Sequence, residues 1–235
     1  MYKRFFKRFL DIVLSFFALL VLSPVLLVLI IVGWIAMKGN PFFVQPRPGK
    51  IDPKTGKEKI FNLVKLRTMT CEKDKEGNLL PDDKRLTRYG KMLRSTSLDE
   101  LPELWNILKG DMSIVGPRPQ LVRDMVFMTE LERKRHTATP GLTGLAQVSG
   151  RNAITWEKKL SIDLEYIESV TFVGDLRIIL LTVIKVFRRE DISEEGFDTA
   201  EDLGDYLLRK DAIDKDYHKE MLSEAERLLE TVSKH

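Results

Sequence analysis

Apolar side chains run from Phe9 to Met37 almost without interruption, and Asp11 is the only ionisable residue among the Leu, Val, Ile and Phe of that stretch. A run of this length and purity predicts a helix that enters a bilayer. As one straight helix it would be roughly 40 Å long at about 1.5 Å per residue, against a hydrocarbon core of about 30 Å, so it must tilt, bend or shorten. Pro24 supplies a bend because it has no N–H, and Ser23 beside it can lend its hydroxyl to the freed carbonyl. Lys3, Arg4, Lys7 and Arg8 precede the run, while Lys38, Arg47 and Lys50 follow it. Positive charge marks the cytoplasmic flank, so two basic flanks predict a re-entrant helix that dips into one leaflet and returns. The run is too long and bulky for a cleaved signal peptide. Asp11, one turn after Arg8, is expected to pair with it at the interface.

Beyond the apolar run, Gly39-Asn40-Pro41 ends the helix, and the alternation from Phe42 to Gln45 predicts a short strand closed by a turn at Pro46-Arg47-Pro48-Gly49. Lys59 to Met69 is a second strand, with Asp52-Pro53-Lys54-Thr55-Gly56 as the hairpin loop between them. Residues 72–84 are polar. Helical spacing returns at Leu86–Leu93, Leu101–Leu108 and Leu121–Arg135, and stretches rich in Gly, Pro, Ser and Thr at 110–119 and 139–152 predict loops. Leu176–Phe187 is apolar but too short to span, which suits a core helix or one lying on the membrane. The chain is strongly charged from Glu190 onward. There Met221, Leu222, Ala225, Leu228, Leu229 and Val232 form a stripe that either a partner subunit or the protein's own domain must cover. The expected organisation is a membrane helix over residues 1–38 broken at Ser23-Pro24, a catalytic domain over 39–190 and a charged helical extension over 191–235.

Charge narrows the classes of partner. Among 235 residues, 38 Lys and Arg oppose 35 Asp and Glu for a net charge of +3, too little to point to nucleic acid. The single cysteine, Cys71, builds neither an internal disulfide nor a cysteine zinc site. His136, His218 and His235 lack ligand spacing. The chain carries neither the G-x-x-x-x-G-K-[ST] phosphate loop nor a strand-linked G-x-G-x-x-G, which sets aside standard NTPases and dinucleotide enzymes.

The richest stretch chemically is Arg94-Ser95-Thr96-Ser97-Leu98-Asp99-Glu100-Leu101-Pro102-Glu103. Proline is best tolerated in a first helical turn, so Pro102 puts Asp99 and Glu100 at or just before a helix N-terminus. Free N–H groups and the helix dipole favour a carboxylate or a bound phosphate there. Adjacent carboxylates cannot share one face, so one can attack phosphorus while the other holds a cation. Ser97-x-x-Glu100 equally fits a capping box that merely starts the helix. Arg94, Arg118 in Gly116-Pro117-Arg118-Pro119 and Arg151 in Gly150-Arg151-Asn152 add three guanidinium groups, suited to a diphosphate in combination though each alone is an ordinary surface charge.

At these residues the chain closely resembles the small monotopic phosphoglycosyl transferases, bacterial sugar transferases that act on undecaprenyl phosphate. The likeness runs through Lys7-Arg8-Phe9-Leu10-Asp11, Ser23-Pro24, Lys65-Leu66-Arg67-Thr68-Met69, Ser97-Leu98-Asp99-Glu100-Leu101, Lys109-Gly110-Asp111-Met112-Ser113, the Gly-Pro-Arg-Pro loop, Pro140-Gly141-Leu142-Thr143-Gly144, Gln147 and Gly150-Arg151-Asn152, and fades near residue 190. It implies an α/β, mainly α fold: a re-entrant membrane helix, a compact cytosolic domain with amphipathic interfacial helices, and a few short strands.

The resemblance also implies a Mg²⁺-dependent transfer of a sugar 1-phosphate from a nucleotide diphosphate sugar, UDP by analogy, to polyprenyl phosphate at the cytosolic face of the inner membrane. Asp99 would be the nucleophile that forms a covalent phosphosugar intermediate and releases UMP, with Glu100 and Asp99 near the metal. Arg94, Arg118, Arg151, Lys65 and Asp175 would contact phosphates or substrate. A homo-oligomer through the C-terminal helix is the remaining expectation. The rival classes are a non-catalytic membrane adaptor and a membrane-bound nucleotide-sugar hydrolase.

Overall fold

The computed structural model describes residues 2–150, 154–188 and 201–233. The chain divides into two compact units, the first made of 1–45, 63–110 and 180–199 and the second of 46–62, 111–179 and 200–235. Each is interleaved in sequence.

The first unit is built on α1 (Lys7–Ala36), which runs without a break through Pro24 and follows a π-turn at Tyr2–Phe6. Among the described residues α1 is the one helix long and apolar enough to cross a membrane, with a mean hydropathy of 3.0 over its most apolar stretch. Continuity at Pro24 has a local cause. The carbonyl that loses its partner to a proline lies four residues earlier, at Leu20, and Ser23 Oγ donates to that oxygen at 2.8 Å. Most of the surface of α1 is apolar and exposed, including Phe16, Phe17, Leu20, Val21, Trp34 and Ile35, which suits a lipid solvent.

Near its start, Arg8 donates to the carbonyls of Ile107 at 2.5 Å and Leu108 at 2.8 Å, in the last turn of α4 (Glu103–Lys109), where a helix leaves acceptors unfilled. Arg8 therefore serves α4, and Asp11, one turn further along α1, is buried. Near its end, Leu29 packs with Leu66 and Leu93, and Tyr89 on α3 (Arg88–Thr96) donates its hydroxyl to Leu29 O at 2.7 Å. A Cβ at Gly33 would stand 2.9 Å from that hydroxyl, so only glycine lets α3 approach so closely.

Strands β1 (Phe42–Ile51) and β2 (Glu58–Leu66) pair, and the loop between them closes through Asp52 and Lys57, with Gly56 at a φ of +68°. Pro46-Arg47-Pro48-Gly49, expected as a turn, stays within β1. In a two-stranded sheet every strand is an edge, and an edge tolerates proline wherever its missing N–H would face outward. A single turn of helix, α2 (Asp82–Arg85), precedes α3.

In the second unit the two expected loops each hold a strand. β3 (Ser113–Val115) and β4 (Gly141–Thr143) pair in parallel, Ser113 against Gly141 and Val115 against Thr143. Glycine permits this. A Cβ on Gly141 would lie 2.1 Å from Gly116 N, and one on Gly116 would lie 2.4 Å from Thr139 O. The expected helix over Leu121–Arg135 is instead α5 (Val122–Met125), α6 (Glu130–Arg133) and a tight turn at Lys134–Thr137. Thr129 and Glu132 form a capping box that restarts the helix, while the carboxylate of Asp124 accepts from Leu121 N and Leu203 N. The rest comprises α7 (Leu145–Gly150), α8 (Trp156–Glu168), the part of α9 (Phe172–Arg188) up to Ile179, α10 (Leu203–Arg209) and α11 (Lys215–Ser233). On α9, Val173, Leu176, Leu180, Val183 and Ile184 form an exposed apolar stripe at helical spacing, the arrangement of a helix lying on a membrane.

The stripe on α11 is covered by its own unit. Met221 and Leu222 pack against a cluster of Phe127, Met128, Trp156, Leu160, Leu203 and Tyr206, and Ala225 is buried with Val122 and Met125. The side chain of Val232, last in that stripe, lies outside the described residues. Burying an unpaired carboxylate there is expected to destabilise this unit by about 2–4 kcal/mol in Ala225→Asp, whereas exposed Glu226→Ala stays within about 0.5 kcal/mol, as read from thermal unfolding in detergent.

Candidate active site

The Asp99-Glu100 pair sits on a 3₁₀ turn, Leu98–Glu100, between α3 and α4. Two backbone features make that turn. Ser97 adopts the left-handed conformation at φ 56° and ends α3, and Pro102 starts α4. The capping box open to Ser97 and Glu100 is not formed: Ser97 makes no side-chain cap, and the carboxylate of Glu100 goes elsewhere. At about three residues per turn, neighbouring side chains on such a helix diverge by about 120°, so Asp99 and Glu100 face different ways.

Glu100 faces Lys65. The ammonium, carried on β2, lies 2.8 Å from Glu100 and 3.1 Å from Glu103. Glu103 is 1% exposed, while Lys65 and Glu100 keep under a fifth of their side-chain surface in water. One cation therefore answers two carboxylates in a nearly dry place, where the attraction is strong. Asn106, also buried, accepts from Val64 N at 3.1 Å and fixes β2 against α4. Arg94, in the last turn of α3, directs Nε to Thr68 Oγ1 at 3.1 Å. The first unit thus brings together Lys65 and Glu100, with Asp99 adjacent in the chain. Glu103 went unnoticed in the sequence, although its spacing of three from Glu100 on one helical face was the available signal.

Mg²⁺ favours one or two carboxylates and completes its shell with water and phosphate oxygens. Asp99 and Glu100 match that hard donor set. Among the described residues no group of three or more His, Cys, Asp or Glu side chains is disposed to hold a metal alone, so a cation here would draw further oxygens from substrate.

The second unit contains Arg118 and Asp175. Arg151 and Asn152 lie outside the described residues. Asp175 is buried in the first turn of α9 and accepts from the Tyr166 hydroxyl at 2.9 Å, while that same hydroxyl approaches Val115 O at 3.2 Å. Arg118 is half-buried between two buried prolines. Its carbonyl accepts from Arg135, a residue 1% exposed that also donates Nε and a terminal nitrogen to Asp163 at 2.9 and 2.6 Å. The third nitrogen of Arg135 meets His136 Nε2 at 3.3 Å, and His136 Nδ1 meets Glu58 at 3.1 Å. Arg133 closes the chain on Glu58. Arginine can only donate, so His136 Nε2 accepts and its proton sits on Nδ1, facing Glu58. The ring is neutral. Burial above all pushes its pKa down, against the raising effect of Glu58. Burial also raises Glu58, but hydrogen bonds from His136 and Arg133 win and hold its carboxyl well below the usual range. None of Arg135, Asp163 or Glu58 stood out in the sequence, because their weight comes from burial and not from spacing.

The sequence profile of the bacterial sugar transferase family matches residues 2–189. The chain is similar to the uncharacterized sugar transferase EpsL of Bacillus subtilis, 46% identical over 195 residues that make up 83% of this chain and 94% of that one. It is similar to the UDP-glucose:undecaprenyl-phosphate glucose-1-phosphate transferase of Klebsiella pneumoniae, 42% identical over 77% of this chain and 40% of the relative. The Caulobacter vibrioides protein of the same name is 36% identical over 75% of this chain and 68% of its own length. The chain belongs to the bacterial sugar transferase family.

The neutral state of His136 has a pH consequence. Its folded pKa lies below the ordinary 6.5, so the unfolded chain binds the extra proton and stability falls as pH drops through that value. Chemical denaturation between pH 7 and 5 is expected to show a loss with a slope of at most about 1.4 kcal/mol per pH unit for this one proton. His136→Gln, which still donates and accepts, should flatten it. Glu58 adds a separate loss only below its ordinary 4.5.

Proposed function

We propose that this member of the bacterial sugar transferase family moves a sugar 1-phosphate from a UDP-sugar to undecaprenyl phosphate by way of a phosphosugar ester on Asp99. The observation that carries the proposal is the division of labour on the 3₁₀ turn: Lys65 engages Glu100 at 2.8 Å, and Asp99, one residue away, points in another direction.

In the first step an oxygen of the Asp99 carboxylate attacks the sugar-bearing phosphorus. The new P–O bond forms as the bond to the nucleoside phosphate breaks, and its electron pair leaves with UMP. In the second, a phosphate oxygen of the lipid attacks the same phosphorus, the bond to Asp99 breaks, and the carboxylate is regenerated as polyprenyl diphosphate sugar departs. The transfer consumes and releases no net proton. Glu100, held by Lys65, would hold Mg²⁺ near the Asp99 carboxylate, and the ion would supply neutralisation of phosphate oxygen charge when bound. Arg94, Arg118 and Arg151 are proposed to contact phosphate and Lys65 to keep Glu100 oriented, and Asp175 is proposed to lie at the substrate. One water-soluble substrate and one lipid substrate can use one nucleophile in turn by this route.

The proposed place of action is the cytosolic face of the inner membrane, with α1 as a re-entrant helix. Support comes from the attachments of α1: Arg8 near its start and Leu29 near its end both bond to helices of the same unit. A helix crossing the bilayer would leave its two ends on opposite sides.

Asp99→Asn is expected to lower UMP release from UDP-sugars by at least about 10³-fold, and mass spectrometry of the wild type with donor alone should find the phosphosugar adduct. Free sugar phosphate formed without lipid would instead favour hydrolysis, and no turnover of any UDP-sugar would favour an adaptor. For topology, single cysteines at Lys3→Cys and Lys38→Cys, placed in a Cys71→Ser chain, should both react with a label added from the cytosolic side of sealed vesicles. Protection of one alone would overturn the re-entrant arrangement.

A further inference from the structure

We propose that Arg135 is a positioning residue for the transfer reaction, holding the Gly116-Pro117-Arg118-Pro119 loop so that Arg118 meets the donor diphosphate without having to be ordered first. The proposal rests on the phosphate role proposed for Arg118.

The loop is held at three consecutive carbonyls by three different parts of the second unit. Pro117 O accepts from Gly141 N on β4 at 3.0 Å, Arg118 O from the Arg135 guanidinium at 2.7 Å, and Pro119 O from Arg47 on β1 at 3.2 Å. Gly116 N donates to Thr143 O at 2.8 Å, and Pro117 and Pro119 have no N–H to offer. Proline further confines φ on both sides of Arg118. Arg118 is the half-buried exception in a stretch whose neighbours are buried. Such a backbone has almost no freedom left, and what it presents is one guanidinium group.

Arg135 is placed for this task at some cost. A fully buried cation needs a carboxylate, and Asp163, 2% exposed, supplies it through two bonds. A methionine or leucine of similar volume could fill the space without that cost, but could not bond a carbonyl. His136, neutral and accepting from the third nitrogen, completes the fork and stops it rotating away from Arg118 O. Fixing a binding group in advance lowers the ordering cost at the moment of binding.

A double-mutant cycle on the full-length protein in detergent tests this, reading kcat/KM for UMP release. Arg135→Lys keeps a charge beside Asp163 but cannot reach two partners with one fork. It is expected to lower kcat/KM by about ten- to hundredfold, as misplacement of a binding group by a fraction of an ångström does. In an Arg118→Ala background the same change should have no further effect, because the group it positions is gone. Arg47→Ala, which removes the bond to Pro119 O, should show the same lack of additivity on a smaller scale and stands in if Arg135→Lys does not fold. Additive losses in both cycles would overturn the positioning role while leaving Arg118 as a phosphate ligand. An Arg118→Ala protein as active as wild type would overturn the positioning role together with the phosphate role of Arg118, leaving Asp99 chemistry to be judged on its own variant. A wild type releasing no UMP would sink the transferase reading and this inference with it.

Discussion

The ammonium of Lys65, wedged between Glu100 and Glu103, is the interaction on which the first unit depends. It joins a strand to both the turn that carries Asp99 and Glu100 and the helix after it, and it does so where water is scarce. Removing it would take from the buried carboxylate of Glu103 a cation 3.1 Å away. The same contact gives the two neighbouring carboxylates different environments: one is neutralised by a cation, the other is not committed to it. Their chemical roles can differ for that reason, even though they adjoin in the chain.

A second constraint comes from backbone conformation. Ser97 in the left-handed region and Pro102 at a helix start leave a single tight turn between two helices, and Tyr89 and Arg8 tie those same helices to the membrane segment. The turn that carries Asp99 and Glu100 is thereby connected to the apolar helix α1 through short, hydrogen-bonded steps. In the second unit glycine does similar work by permitting contact: β3 and β4 approach more closely than any side chain would allow, and the arginine loop grows directly out of that pairing.

Much of this was legible in the residues. The apolar run, the Ser23 hydroxyl compensating Pro24, the loop at 52–56 and Pro102 at a helix start all follow from local rules, and the structure has each of them. Where local rules failed, a distant partner had intervened. Pro46 to Gly49 reads as a turn until a paired edge strand accommodates it. Leu121 to Arg135 has helical spacing, yet Asp124 and Thr129 spend their side chains on backbone N–H groups and break it into pieces. Stretches rich in glycine looked like loops because a parallel pair of three-residue strands has no periodicity to detect. Within the site, Asp99, Glu100 and Lys65 stood out through motif and position. Glu103, Arg135 and Asp163 did not, since a buried charge announces itself only once its surroundings are known.

The helix at the far end of the chain bears on what counts as the catalytic part of this protein. The family profile ends at residue 189, but α11 fills a hollow lined by Val122, Met125 and Phe127 and buries Ala225 there. A minimal enzyme trimmed to the shared region would therefore carry a greasy seam facing water, prone to self-association. The end of the profile match is therefore not a boundary of folding in this chain.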